Sequence, residues 1–305
     1  MIAQLNTEIV IGSLKLKNPI MPASGAFGPE MKDAIDFNEL GALVPKSITR
    51  LPQPGNRTPR VCETTAGMIN SIGIQSKGLD YYMKYTIPEF AAYSAPLISS
   101  ISADSVDEFA EMSEVIGNHP DVDALELNIS CPNLKGNGEA FGMNAEVTES
   151  LIQAVKNVTD VPLIAKLTPN VTSIQDIALA AEAGGATALN VANTLLAMAI
   201  DTESRRPLIG NIMGGFSGPA VKPVIVRMIY QVSQVTNLPI IGCGGIMNGK
   251  DALEMIIAGA SAVQVGTASF IYPTAMPDIL EEIKDYMKRH AIYDINELVG
   301  SIQVD

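Results

Sequence analysis

The chain has 305 residues, a formal net charge of −13, and 47% hydrophobic against 17% charged residues. That apolar content fills a large core and argues against a disordered chain. The acidic balance argues against nucleic acid or an anionic membrane surface as partner, because both need clustered Lys and Arg.

In chain order, residues 7–10 and 14–17 flank Ile11-Gly12-Ser13 and predict a small β-hairpin at the barrel bottom. Short apolar runs then follow turn signals at 20–23, 42–48, 96–102, 124–130, 162–168, 186–193, 239–244 and 262–268. Each has the length of a strand, and their near-continuous apolarity fits parallel strands buried on both faces. Amphipathic helices are predicted between them. Val147, Leu151, Ala154 and Val155 form one stripe, Ile174, Ile177, Ala178 and Ala181 a second, and Leu253, Ile256 and Ile257 a third. Ala183-Gly184-Gly185 and Ala258-Gly259-Ala260 end helices with a glycine able to take the left-handed conformation.

Strands alternating with helices predict an α/β fold, a (β/α)₈ TIM barrel with an N-terminal β-hairpin; an open doubly wound sheet is the alternative. Barrels reach this length as one domain, so a single domain over 1–305 is expected. Three connections, 51–90, 131–144 and 195–219, are long. They follow strands two, four and six at the C-terminal face, where barrel active sites lie. No apolar run reaches the length of a spanning helix, and the first residues lack a signal-peptide pattern. Cys62, Cys131 and Cys243 are too few and too widely spaced for a disulfide framework or a metal site. A cytoplasmic protein with no membrane or nucleic-acid partner is expected.

Gly242-Cys243-Gly244-Gly245 ends strand seven, and Gly266-Thr267 ends strand eight. Glycines there let backbone N–H groups approach a phosphate, although either motif alone could serve only a tight turn. Lys46 and Lys166 stand inside apolar runs. An interior lysine is costly without an anion, so both point to negative charge on a bound ring or phosphate; snorkelling to the rim is the plainer reading. Asn70, Asn128, Asn133 and Asn193 lie at strand ends or in the long loops. Carboxamides suit a ring with alternating N–H and C=O groups, though any single Asn is commonly a turn residue. Cys131 leaves strand four on a loop with Gly136, Gly138 and Gly142 that could act as a lid. His119 and His290 fall outside the predicted site, so a cysteine base is preferred to a His-activated nucleophile. Cys62 and Cys243 read as buried hydrophobes.

These residues form a pattern. Asn128-Ile129-Ser130-Cys131-Pro132-Asn133 resembles the signature of class 1 dihydroorotate dehydrogenases. So do Asn18-Pro19-Ile20, Ala23-Ser24-Gly25, Lys166-Leu167-Thr168-Pro169-Asn170 and Gly214-Gly215-Phe216-Ser217-Gly218-Pro219-Ala220. Gly55-Asn56-Arg57-Thr58-Pro59-Arg60-Val61 with Gly67-Met68-Ile69-Asn70 resembles the NAD-linked class 1B catalytic subunit.

The resemblance implies FMN-dependent oxidation of (S)-dihydroorotate to orotate in pyrimidine (UMP) biosynthesis. Cys131 would remove the C5 proton while hydride passes from C6 to FMN N5. Substrate would meet Lys46, Asn70, Ser71, Ile72, Gly73, Ile74, Asn128, Asn193 and Thr194. FMN would meet Ser24, Lys46, Ser47, Ser100, Asn128, Lys166, Ala192, Gly218, Gly244, Gly245, Gly266 and Thr267. Two positions depart from the family pattern: Ser100 stands where an asparagine is usual, and Ala192 where an isoleucine is usual. The resemblance also implies a homodimer within a heterotetramer, the partner subunit carrying FAD and a 2Fe–2S cluster. This chain has no Rossmann-type glycine pattern and no four-cysteine cluster of its own. A fumarate-linked class 1A-like enzyme, a flavin barrel for another dihydropyrimidine, and a binding barrel without chemistry remain the alternatives.

Overall fold

The computed structural model describes residues 5–130 and 140–304. A parallel seven-stranded sheet runs in the spatial order Ile20–Pro22, Ala262–Val265, Ile240–Cys243, Ala188–Val191, Leu163–Lys166, Ala124–Asn128, Ile98–Ile101. Apart from Asn128, every residue of these strands is buried. That is why they read as unbroken apolar runs: helices cover one face and the barrel interior the other.

Residues 41–48 span the gap between the two ends of this order. The Gly41 N–H donates to the Ile20 carbonyl at 2.8 Å. Leu43 then pairs in parallel with Leu97, and Ile48 with Ile101. The expected second strand is therefore two isolated bridges rather than a ladder. Pro45 lies between them and has no N–H to donate. The sheet curls in the manner of a (β/α)₈ barrel.

The helices Val106–Gly117, Ala145–Lys156, Ile174–Ala183, Lys222–Ser233, Gly249–Ala258 and Ala275–Arg289 pack outside. Four of them start on a side chain that accepts a backbone N–H of the first turn: Ser105 from Glu108, Asn144 from Val147, Ser173 from Asp176 and Asn248 from Asp251. Two ends use glycine as expected, with Gly185 at φ +98° and Gly259 at φ +130°. No helix among the described residues is long and apolar enough to cross a membrane.

The predicted hairpin is present, Ile9–Ile11 pairing antiparallel with Leu14–Leu16. Its turn residue Gly12 lies against Thr187, just ahead of the strand Ala188–Val191. This places the hairpin at the N-terminal end of the barrel.

The connections after strands two and six carry structure that periodicity did not reveal. Their segments form one antiparallel sheet in the order Leu195–Ala197, Gly214–Ser217, Gly67–Asn70, Val61–Thr64. Gly215 pairs with Asn70, and Phe216 with both Ile69 and Leu195. Two insertions distant in sequence thus make one roof over the C-terminal end of the barrel. Its strands are short and rich in glycine, so neither insertion alone shows an apolar alternation.

Candidate active site

A cavity of about 370 Å³ opens at the C-terminal ends of the barrel strands. That is within the range of small-molecule sites. Its walls come from strand ends, from the loop 71–74 and from the roof sheet.

Lys166 closes the strand Leu163–Lys166 and lies at the cavity floor, with the side chain almost wholly buried. The Lys166 Nζ donates to Gln264 Oε1 at 3.0 Å and to Ser24 Oγ at 3.4 Å. It also lies 3.6 Å from the Glu126 carboxylate, which is fully buried. Burial alone would raise the Glu126 pKa, but the Lys166 charge and hydrogen bonds from Gln264, Ser24 and Asn190 hold it below the usual carboxylate range. Burial alone would lower the Lys166 pKa, and Glu126 reverses this and holds it above the usual lysine value. The floor therefore presents a fixed positive charge.

Asn128, the register partner of Lys166, meets Asn193, whose Nδ2 donates to Asn128 Oδ1 at 3.2 Å. Asn193 Oδ1 accepts the Thr194 N–H at 2.8 Å, which fixes which end of the carboxamide faces its neighbour. Asn70 hangs from the roof, its Nδ2 donating to the Gly215 carbonyl at 3.3 Å. Ser71, Ile72, Gly73 and Ile74 continue that wall. Ile74 has φ +45° and Gly73 φ +74°; a β-branched residue at positive φ is an outlier held by its surroundings. Lys46 and Ser47 also line the cavity, between the two bridges of residues 41–48.

Gly244, Gly245, Gly266 and Thr267 form the far wall. Gly244 and Gly245 have φ +137° and +81°, and Gly266 caps the short helix Thr267–Ile271. A Cβ on Gly245 would sit 2.8 Å from the Lys222 backbone nitrogen, so only glycine lets the chain run this close. The Thr267 hydroxyl donates to Ser217 Oγ at 2.9 Å and ties this wall to the roof.

The structure thus brings to one cavity Ser24, Lys46, Ser47, Asn70, Ser71, Ile72, Gly73, Ile74, Asn128, Lys166, Ala192, Asn193, Thr194, Gly244, Gly245, Gly266 and Thr267. Two anticipated residues are not among its walls. Ser100 is fully buried one layer below, with its Oγ 2.8 Å from Ser47 Oγ and 3.0 Å from Glu126 Oε1. Gly218 packs its backbone on Gly67, one residue beyond the wall residue Ser217. The expected base Cys131, like Asn133, Gly136 and Gly138, lies outside the described residues.

Sequence reading missed other features. Cys243 reaches the cavity wall, and burial pushes its thiol pKa up, so it is a neutral contact. Val61, Met68, Phe216 and Phe270 add apolar surface. Beneath the floor, Glu126, Asn190 and Gln264 form a polar layer. Each is a polar residue flanked on both sides by apolar ones, and that was the available signal.

The residues fit a flavin mononucleotide. The glycine wall gives a phosphate close backbone approach, and a Cβ on Gly25 would meet nothing within 4 Å, so that part of the cavity is open. The floor carries a buried cation and the rim several carboxamides.

A sequence model of the dihydroorotate dehydrogenase family matches residues 5–287. The chain is 48% identical over 301 residues to the dihydroorotate dehydrogenase B (NAD⁺) catalytic subunit of Alkaliphilus metalliredigens, covering 98% of this chain and 99% of that relative. The correspondingly named subunit of Desulforudis audaxviator is 48% identical over 300 residues, covering 98% of each chain. That of Porphyromonas gingivalis is 45% identical over 304 residues, covering 99% of each. A family match over nearly the whole length, on a barrel with this cavity, places the chain in the dihydroorotate dehydrogenase family of oxidoreductases.

Proposed function

We propose that the cavity binds FMN and (S)-dihydroorotate together and that the chain oxidises the substrate to orotate, with Cys131 as base. The observation that carries this reading is the convergence of Lys46, Asn70, Asn128 and Asn193 on one cavity with the buried Lys166 ammonium. The family membership supports it.

The backbone of Gly244, Gly245, Gly266 and Thr267 would hold the FMN phosphate. Lys166 would stand at the ring, with Ser24, Ser47, Asn128 and Ala192 beside it. Ser100 would act through Ser47, to which it is bonded, and Gly218 through the turn that positions Ser217. When bound, FMN would supply a two-electron acceptor for the C6 hydride. Cys131 removes the C5 proton, and the electrons of that C–H bond form the C5–C6 double bond as hydride leaves C6. Lys166 offsets the negative charge that arrives with the hydride. Asn70, Asn128 and Asn193 hold the ring N–H and C=O groups of the substrate, and Lys46 offers charge to its carboxylate. The roof sheet and loop 71–74 shield the reacting faces from water.

The curated relatives are named as NAD⁺-linked catalytic subunits. That naming supports electron transfer to NAD⁺ through a partner subunit; FAD and a 2Fe–2S cluster on that subunit, and a heterotetramer built on a homodimer of this chain, rest on the motif resemblance alone. A cytoplasmic location is proposed from the odd number and wide spacing of the three cysteines, which suit a reducing compartment.

The test is anaerobic addition of dihydroorotate, and of a panel of other reduced pyrimidines, to the FMN-loaded protein. Bleaching by dihydroorotate is expected, with the others slower. A protein that takes up no FMN, or one bleached better by a neutral dihydropyrimidine, would overturn the reading.

A further inference from the structure

The chemistry proposed above uses Lys166 and leaves the layer beneath it without a task. Glu126 stands two residues before Asn128 on one strand, and its register partner Ile164 stands two before Lys166. The Glu126 carboxylate accepts from Ser100 Oγ at 3.0 Å, Asn190 Nδ2 at 2.8 Å and Gln264 Nε2 at 2.6 Å. Gln264 Oε1 in turn accepts from Lys166 at 3.0 Å and from Asn190 at 2.8 Å. Three further strands therefore contribute a donor to hold one carboxylate, and the amide of Gln264 links it back to the lysine.

A core needs no such arrangement. Apolar side chains of the same size commonly serve stability as well as a buried ion pair does. An isolated buried lysine, by contrast, gives up its proton readily. Among the described residues, the titratable groups acting on Lys166 are Glu126, from the strand Ala124–Asn128, and Cys243, from the strand Ile240–Cys243. The Cys243 thiol is held neutral by burial, and Ser24 and Gln264 are neutral contacts.

We propose that Glu126 is a positioning residue for flavin reduction: with Gln264 it fixes the Lys166 ammonium at the cavity floor and keeps it charged across the working pH range. The inference rests on the FMN reading of the cavity. Its consequence is that the charge facing the flavin stays constant while hydride arrives, so the redox properties of the flavin do not drift with the protonation of the lysine.

The test measures the reduction potential of bound FMN as a function of pH in the wild type, Glu126→Gln, Lys166→Met and the double variant. FMN affinity is followed by fluorescence quenching. In Glu126→Gln a new break is expected on the order of 3 pH units below an ordinary lysine pKa. Above that break the potential matches Lys166→Met. Glu126→Asp keeps the charge and removes the break. In the Lys166→Met background the unmatched Glu126 carboxyl takes up a proton, so Glu126→Gln leaves the potential unchanged at neutral pH.

The double variant buries a neutral pair, so it remains usable where Glu126→Gln alone does not fold. Comparing it with Lys166→Met then carries the test: equal potentials are expected, and unequal ones overturn the proposal. A Glu126→Gln profile that superimposes on the wild type also overturns it. Absence of FMN uptake by the wild type would overturn the cofactor reading as well; loaded wild type with unshifted variants overturns this inference alone.

Discussion

The Lys166 ammonium and the Glu126 carboxylate lie 3.6 Å apart, the lysine at the cavity floor and the carboxylate sealed inside the barrel beneath it. Each is ionised because of the other. Removing one partner leaves a buried charge unmatched, while removing both does not. Lys166→Met is expected to cost on the order of 3–5 kcal/mol of unfolding free energy, and the Glu126→Gln/Lys166→Met double variant clearly less. Urea unfolding of the three proteins checks this, and equal losses in single and double variants would refute it.

The same pair sets a pH dependence. The folded Glu126 carboxyl lies below its ordinary value of 4.5, so its contribution is present above that pH and is lost as pH falls below it. The folded Lys166 lies above its ordinary 10.5, so its contribution is present below that pH and is lost as pH rises past it. The double variant is expected to show shallower stability losses at both ends. Midpoints of urea unfolding across the pH range measure it; parallel curves for the two proteins would remove the pair as their cause.

Two glycines on the cavity separate fold from binding. A Cβ on Gly25 meets nothing within 4 Å and points into open space. Gly25→Ala is expected to leave stability within about 0.5 kcal/mol and to weaken FMN binding by filling the cavity. Gly245 has φ +81° and a Cβ there would press on the Lys222 backbone. Gly245→Ala is expected to cost more than about 1 kcal/mol as well as FMN affinity. Thermal melts of the apoproteins with FMN titrations check both. Unimpaired FMN binding in Gly25→Ala would place the cofactor elsewhere.

Cys131→Ser is expected to slow flavin reduction at neutral pH by about 10²–10⁴-fold, because a serine hydroxyl is a far weaker acid–base group than a thiol there. FMN affinity is expected to stay the same. Stopped-flow absorbance under anaerobic conditions measures the rate. A rate equal to the wild type would remove Cys131 as base.

For the electron acceptor, the expected ranking is NAD⁺ reduction only with a co-purified iron–sulfur flavoprotein, and little turnover with fumarate. Assays of NAD⁺, fumarate and a quinone, with and without that partner, decide it. Rapid fumarate turnover by this chain alone would favour the class 1A-like alternative.

Much of this architecture was legible in the residues. Strands buried on both faces announce themselves as apolar runs, and seven of the eight runs are ladder strands. The run at 42–48 kept its place but lost its ladder at Pro45. The residues around the cavity were found because barrel chemistry gathers at strand ends, which chain order reveals. The roof sheet was not foreseen, since its central pair, Gly67–Asn70 with Gly214–Ser217, joins two insertions distant in sequence and neither strand carries an alternation of its own. Glu126, Asn190 and Gln264 were overlooked for the opposite reason. Each is enclosed by apolar neighbours, and its partners lie on other strands. Lys166, in the same setting, stood out because a buried ammonium demands an anion; the anion found is Glu126 of this chain, below the lysine.

The central claim is that one substrate ring and one flavin react in this cavity. A single-turnover experiment tests it most directly: FMN-loaded protein is mixed with dihydroorotate in the absence of any acceptor, and orotate and reduced flavin are quantified together. One orotate per flavin reduced is expected, formed at the same rate. Flavin reduction without orotate, or orotate without flavin reduction, would contradict the account.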